Sequence, residues 1–139
     1  MPVLTRWFLK TSFLFLILAM LLGLLQTAQG AVSLSIPLNA FTPVYFHLLM
    51  LGWVTQLIFG VVFWMFPKFS RDKPRGSETL GWIVFWLLNL GLVLRLVAEP
   101  AQALNPNPVW GWALALSSVK LWIAGMVFVI NTWARVKER

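Results

Sequence analysis

Long apolar runs separated by short polar segments dominate this chain. Four runs lie at about residues 7–25, 44–66, 80–98 and 109–133. An α-helix rises about 1.5 Å per residue, so a run of about 20 apolar residues crosses the roughly 30 Å hydrocarbon layer of a bilayer. The pattern therefore predicts an all-α membrane protein with four transmembrane helices, forming a single four-helix transmembrane domain over residues 1–139.

The first run has a second interpretation. Arg6 and Lys10 precede its apolar centre and small residues follow at 27–31, a pattern that is also typical of a cleavable signal peptide. Cleavage would leave three spans. We interpret the run as a retained helix. In the loop after it, residues 32–36 alternate between apolar and polar, which predicts a short extended or interfacial segment.

Prolines mark the predicted ends of two helices. Pro67 follows the second run and Pro100 follows the third. Proline lacks a backbone N–H and its ring clashes with the preceding turn, so we expect each helix to stop before it.

Composition supports the membrane class and excludes several kinds of site. The chain is 60% hydrophobic and 11% charged, whereas soluble domains carry about 25% charged residues. It contains no cysteine, which excludes disulfides, thiolate metal sites, covalent c-type haem attachment and cysteine-ligated iron–sulfur clusters. It contains one histidine, so a single chain cannot build a multi-histidine metal site.

The positive charge is distributed as expected for a membrane protein. The net charge is +7, but nine of the eleven Lys and Arg residues lie near the N-terminus, in the 68–75 loop or in the 135–139 tail. The 26–43 and 99–108 loops contain none. Because basic residues concentrate on the cytoplasmic side, both termini are predicted to be cytoplasmic. We expect a lipid bilayer as the partner and no nucleic acid.

His47 is the principal candidate for chemistry. It lies about one turn inside the second run, and an ionisable residue within a membrane span indicates a functional site. Neutral imidazole commonly ligates metals and b-type haem iron, so His47 is the candidate metal ligand. The alternative is an interfacial histidine that bonds Tyr45, a backbone carbonyl or water.

The second run has two predicted faces, at 100° per residue. Gly52, Gln56 and Gly60 are spaced by four, so a neighbouring helix is expected to approach closely there. The histidine face is apolar and bulky, and comprises His47, Leu51, Val54, Ile58 and Met65.

Two basic residues lie within the spans, where each costs about 2.5–3.5 kcal/mol. Arg95 lies one turn before Glu99, which predicts an i, i+4 ion pair. The alternative is that Arg95 binds an anionic group at the depth of His47, such as a haem propionate. Lys120 lies near the midplane, and we favour a contact that fixes helix packing, through a carbonyl, Ser117 or Ser118, over a proton relay.

Two amides raise the same question as Lys120. Gln56 in the second run and Asn89 in the third lie well inside their spans. Each is predicted to fix helix packing or to take part in a polar path.

The segment from His47 to Lys68, through Gly52-Trp53, Ile58-Phe59-Gly60 and Pro67, resembles the second helix of subunit I of haem-copper oxidases and nitric oxide reductases. That helix begins with a histidine of the low-spin haem. The resemblance implies one four-helix arc of the three in that subunit, and a haem b held by His47 with Arg95 near its propionates. It also implies self-association, as a homotrimer that rebuilds the ring or as a homodimer.

The sequence departs from that family in its ligands. The low-spin haem there has two histidine ligands, and this chain supplies one, so bis-histidine ligation would need two subunits. The three copper-site histidines and the crosslinked tyrosine are missing. We therefore do not expect oxygen or nitric oxide reduction by this chain alone, and enzymatic activity stays open.

Three functions follow, in decreasing order of preference. The first is a haem b-binding protein of the bacterial inner (cytoplasmic) membrane, active in electron transfer or diatomic gas binding as a homo-oligomer. The second is a cofactor-free accessory subunit of a larger respiratory or photosynthetic complex, where nine Trp and eleven Phe would pack against other respiratory subunits. The third is a small transporter with Lys120 and Asn89 along its path, although no internal repeat supports it.

Overall fold

A computed structural model describes residues 1–31, 37–69 and 75–136, and most of these residues are helical. The predicted extended segment at 32–36 lies outside the described residues. The four long helices are Val3–Ala28, Leu38–Met65, Glu78–Leu104 and Pro108–Trp133, and each is long and apolar enough to cross a membrane. They are called the first to fourth helix below. The all-helical, four-span prediction is confirmed, whereas the orientation of the termini stays a prediction.

Helix boundaries follow side-chain caps. The Ser77 hydroxyl accepts a hydrogen bond from the Leu80 N–H at 3.3 Å and begins the third helix. Asn107 accepts from the Val109 N–H at 3.0 Å before Pro108, the first residue of the fourth helix. Both caps satisfy N–H groups that have no partner within the helix.

Pro100 does not end the third helix, contrary to the prediction. It is buried inside a helix that continues to Leu104. Proline removes one N–H from the ladder, and membrane helices tolerate this where neighbouring helices cover the freed backbone. Glu99 therefore stays in regular helix, one turn from Arg95. Pro67 does follow the end of the second helix, as predicted, because Phe66 already has extended backbone.

The first helix packs against the glycine face of the second. A Cβ atom built on Gly52 would lie 2.8 Å from the Phe15 Cβ, and one on Gly60 would lie 2.8 Å from the Phe8 Cβ. Such distances leave no room for a methyl group. The predicted close approach at this face is confirmed.

The third and fourth helices form the other tight pair. The Ser117 hydroxyl donates to the Gly91 carbonyl at 2.7 Å, and the Leu121 side chain lies over Gly91. Phe59 of the second helix stacks on Phe128 of the fourth, with ring centroids 3.7 Å apart and an interplanar angle of 8°. The rest of the fourth helix is largely exposed in the isolated chain.

The second helix is irregular next to His47. It begins with a 3₁₀ turn, Leu38–Phe41, and continues as α-helix over Thr42–His47. Leu48–Thr55 is π-helical, and α-helix resumes at Gln56–Met65. The histidine face predicted from 100° per residue runs across this π segment and stays a prediction. Short π segments occur frequently at functional sites.

A buried amide joins three helices in the bundle interior. Gln56 is fully buried, and its Nε2 donates to Thr11 Oγ1 and, at 3.3 Å, to Asn89 Oδ1. The Asn89 Nδ2 in turn donates to the Phe85 carbonyl at 2.7 Å. Gln56 and Asn89 are thus packing contacts, one of the two roles predicted for them.

Arg135, predicted as part of a basic tail, is fully buried. Its guanidinium donates to the carbonyls at the end of the second helix, from Nε to Pro67 at 3.1 Å and from Nη2 to Phe66 at 2.8 Å. Nη1 donates to the carbonyls of Phe63 and Arg75. Burial, and secondarily the charge of Arg75, lower the pKa of Arg135. Arg135 therefore connects the C-terminal end of the fourth helix to the end of the second helix.

Candidate functional site

His47 contacts a carboxylate across the helix bundle. Its Nδ1 lies 3.0 Å from Glu99 Oε1 and 3.2 Å from Glu99 Oε2. His47 is the last α-helical residue before the π segment, and Glu99 lies near the end of the third helix. The partner of Nδ1 is thus Glu99, whereas Tyr45, one of the alternatives considered, lies against Gly23 of the first helix.

Arg95 binds the same carboxylate, at the Oε1 atom that also lies nearest to His47 Nδ1. Its Nη1 donates to Glu99 Oε1 at 2.7 Å, which confirms the predicted i, i+4 pair. Its Nη2 donates to the Ser118 hydroxyl at 2.6 Å. We call these four side chains, His47, Arg95, Glu99 and Ser118, the histidine cluster. It connects the second, third and fourth helices.

Burial makes these contacts energetically important. The Glu99 side chain is 7% exposed, that of Arg95 is 17% exposed and that of His47 is 32% exposed. A buried carboxylate needs a compensating charge, and Arg95 provides it. The Nε of Arg95 is also buried and has no hydrogen-bond partner among the described residues. The cluster is therefore covered at Glu99 and open at His47.

Sequence reasoning brought His47 and Arg95 to the same depth but missed how Glu99 joins them. Glu99 is one of four acidic residues in the chain, and it was paired with Arg95 alone. One sequence feature could have indicated the contact between Glu99 and His47. Glu99 lies one turn from Arg95, at the same predicted depth in the membrane as His47. Ser118 was missed as a cluster member because a serine within an apolar run carries no distinctive pattern.

Lys120 is not part of the cluster. It is half-buried and has no hydrogen bond or ion pair to the part of the chain that the structure describes. The predicted contact with a carbonyl, Ser117 or Ser118 is absent among the described residues. Ser117 donates to Gly91 instead, and Ser118 accepts from Arg95 while donating to the Leu114 carbonyl at 3.0 Å.

The cluster contains one nitrogen donor that could ligate a haem iron. Across residues 1–31, 37–69 and 75–136, no group of three or more His, Cys, Asp or Glu side chains is placed to hold a metal ion. The Nδ1 of His47 is occupied by Glu99, which leaves Nε2 as a nitrogen donor on a partly exposed ring. Phe46 and Met50 beside it are exposed and apolar.

Arg95 also retains capacity for an anionic group. Two of its five N–H groups are used by Glu99 and Ser118. Each terminal nitrogen keeps a second N–H. The Arg95 side chain is mostly buried.

A comparison with protein families identifies the chain's relatives. It matches the family described as Cytochrome C and Quinol oxidase polypeptide I over residues 3–98, more than two thirds of its length. The match ends one residue before Glu99 and does not include the fourth helix. No curated protein and no solved structure matches the chain. The resemblance to haem-copper oxidase subunit I is confirmed, and the chain is a multi-pass membrane protein that belongs to the Cytochrome C and Quinol oxidase polypeptide I family.

Proposed function

We propose that this chain binds haem b through His47 Nε2 and acts in electron transfer or diatomic gas binding. The observation that carries the proposal is the contact of His47 Nδ1 with Glu99 at 3.0 Å. Histidines that ligate metals almost always direct their other ring nitrogen to a carboxylate, a carbonyl or water. Membership of an oxidase family in which haem is bound supports the same proposal.

The chain's own residues have distinct parts in this proposal. His47 would supply the ligand, Glu99 would orient it, and Arg95 would bind the propionates while holding Glu99. When bound, haem iron supplies one-electron chemistry or a position for a small gas molecule. Each chain offers one histidine, so a second histidine ligand would come from another copy in a homodimer or homotrimer. The proposed location is the bacterial inner membrane, with cytoplasmic termini.

The visible absorption spectrum of the purified protein tests this function. We expect a Soret band in the wild type, or after addition of haem b to the haem-free protein, and its loss in His47→Ala. Met126→Leu is the matched control, because Met126 is exposed on the fourth helix and should leave the band intact. A wild type that stays colourless with haem b, or a His47→Ala variant that keeps the band, would overturn the proposal.

The accessory-subunit function remains the second candidate, because the fourth helix exposes Trp112, Trp122 and Trp133. Such a face suits lateral packing in a larger respiratory or photosynthetic complex. In that case His47→Ala would leave assembly intact, and a defined set of subunits would be lost when Trp112 and Trp122 are replaced by Ala. A colourless, self-contained homo-oligomer would count against both candidates.

A further inference from the structure

The Glu99 carboxylate has a role beyond pairing with Arg95. We infer that Glu99 is a positioning residue that fixes the tautomer of His47 and strengthens its Nε2 as an electron donor; the second part rests on the proposed haem function. Neither Glu99 nor Ser118 lies within the family-matched residues 3–98, so this arrangement is not assigned by the family comparison.

The geometry sets the tautomer. An ionised carboxylate accepts hydrogen bonds and cannot donate them. Both Glu99 oxygens lie within 3.2 Å of His47 Nδ1, so Nδ1 carries a proton, and in the neutral imidazole the lone pair is then on Nε2. With a neutral imidazole, the charges of Glu99 and Arg95 cancel, which suits a buried cluster.

The second step is the fixation of the carboxylate itself. Arg95 Nη1 binds Glu99 Oε1 at 2.7 Å, and Ser118 holds Arg95 through Nη2 at 2.6 Å. The third helix continues through Pro100, so Glu99 is anchored on a regular helical turn. A carboxylate held by Arg95 on a regular helical turn cannot follow small rotations of the imidazole. The ring of His47 is therefore oriented by three helices.

The consequence for a bound haem follows from charge. A carboxylate on Nδ1–H raises the basicity of the opposite nitrogen, and changing such a partner typically costs about 10–100-fold in metal affinity. A more basic ligand favours ferric over ferrous iron. Glu99→Gln removes the charge and keeps the shape, so it should weaken haem binding and raise the midpoint potential. A tenfold increase in the equilibrium ratio of ferrous to ferric haem corresponds to a rise of about 59 mV in the midpoint potential of a one-electron couple.

The single histidine gives a direct measurement on the haem-free protein. Labelling with ¹⁵N-histidine yields one pair of ring-nitrogen signals, which report the tautomer. We expect a protonated Nδ1 and an unprotonated Nε2 in the wild type, and a mixture of tautomers in Glu99→Gln. Glu78→Gln is the matched control, because Glu78 is exposed at the opposite end of the same helix. Unchanged signals in Glu99→Gln would overturn the inference.

Haem titration separates this inference from the proposed function. If ferric haem b binds the wild type, Glu99→Gln should lower its affinity about 10–100-fold and raise the midpoint potential, and Glu78→Gln should do neither. Failure of the wild type to bind haem would sink the proposed function and leave the tautomer result standing. Haem binding with unchanged affinity and potential in Glu99→Gln would sink the inference alone.

If the Glu99→Gln variant does not fold, Glu99→Asp provides a second test of the positioning role. Glu99→Asp keeps the charge and withdraws the carboxylate by one methylene group, so the Nδ1 signal should move and haem affinity should fall. Circular dichroism of each variant establishes that the helices are intact. A folded Glu99→Asp variant with wild-type ¹⁵N signals would contradict the positioning role.

Discussion

Glu99 and His47 are 52 residues apart in sequence, yet the Glu99 carboxylate lies 3.0 Å from His47 Nδ1. The contact joins the first α-helical part of the second helix to the last turns of the third. It depends on continuation of the third helix through Pro100 and on the regular turn that ends at His47. Arg95 and Ser118 extend it to the fourth helix, so the candidate ligand is coupled to the packing of three helices.

Removal of Arg95 should destabilise the fold strongly. Arg95→Gln leaves the Glu99 carboxylate 7% exposed and without its compensating charge, and breaking a buried pair in this way costs about 3–5 kcal/mol. Unfolding in mixed micelles would measure the loss.

The double variant Arg95→Gln, Glu99→Gln provides the control for that prediction. It removes both charges, so its stability should exceed that of Arg95→Gln alone. Equal or lower stability of the double variant would show that charge compensation is not what Arg95 contributes.

Gly52 and Gly60, which lie between the first and second helices, should not accommodate a larger side chain. In Gly52→Ala the new methyl group would lie 2.8 Å from Phe15 Cβ, and overpacking of this kind costs about 1–3 kcal/mol. Gly125→Ala is the matched control, because nothing lies within 4 Å of a Cβ at Gly125. Comparative unfolding of the two variants checks this, and equal stability would argue against close packing of the first and second helices.

The four helices were predictable because each follows from the hydrophobicity of one continuous run of residues. The glycine face of the second helix was predictable because it follows from the spacing of residues within one helix. The π segment at Leu48–Thr55 was not predictable, because its sequence is apolar except for Thr55 and because a π-helix differs from an α-helix in hydrogen bonding rather than in composition. The third helix continues through Pro100 because neighbouring helices cover the backbone there. The rule that proline ends a helix considers only the local sequence and does not include such contacts.

The histidine cluster was partly predictable. The Arg95–Glu99 pair lies within one helix and follows from i, i+4 spacing. The His47–Glu99 contact joins two helices, and a sequence without an alignment gives depth but not the rotation of each helix. The burial of Arg135 was not predicted from its place in the basic tail, because its partners are backbone carbonyls, which carry no sequence signal.

Arg135 should be replaceable by neither Ala nor Lys without loss of stability. Its guanidinium donates to four carbonyls at the junction of the second helix and the following loop. A hydrogen bond to a charged group contributes about 1.5–3 kcal/mol, and an ammonium cannot reproduce the planar fork. We expect Arg135→Ala to lower stability by several such contributions and Arg135→Lys by less. Thermal unfolding measures both, and a neutral Arg135→Lys variant would contradict the requirement for the fork.

Lys120 should be a net cost to the isolated chain. It lies mid-span and half-buried, with no hydrogen bond or ion pair to the described residues, and a lysine at a helix centre costs about 2.5–3.5 kcal/mol on insertion scales. Lys120→Met should therefore stabilise the purified protein in bilayers by up to about that amount. Lys10→Met is the control, because Lys10 is exposed near the start of the first helix and reaches the interface. Destabilisation by Lys120→Met would mean that a second protein chain supplies a partner for this cation, and the effect should then depend on protein concentration.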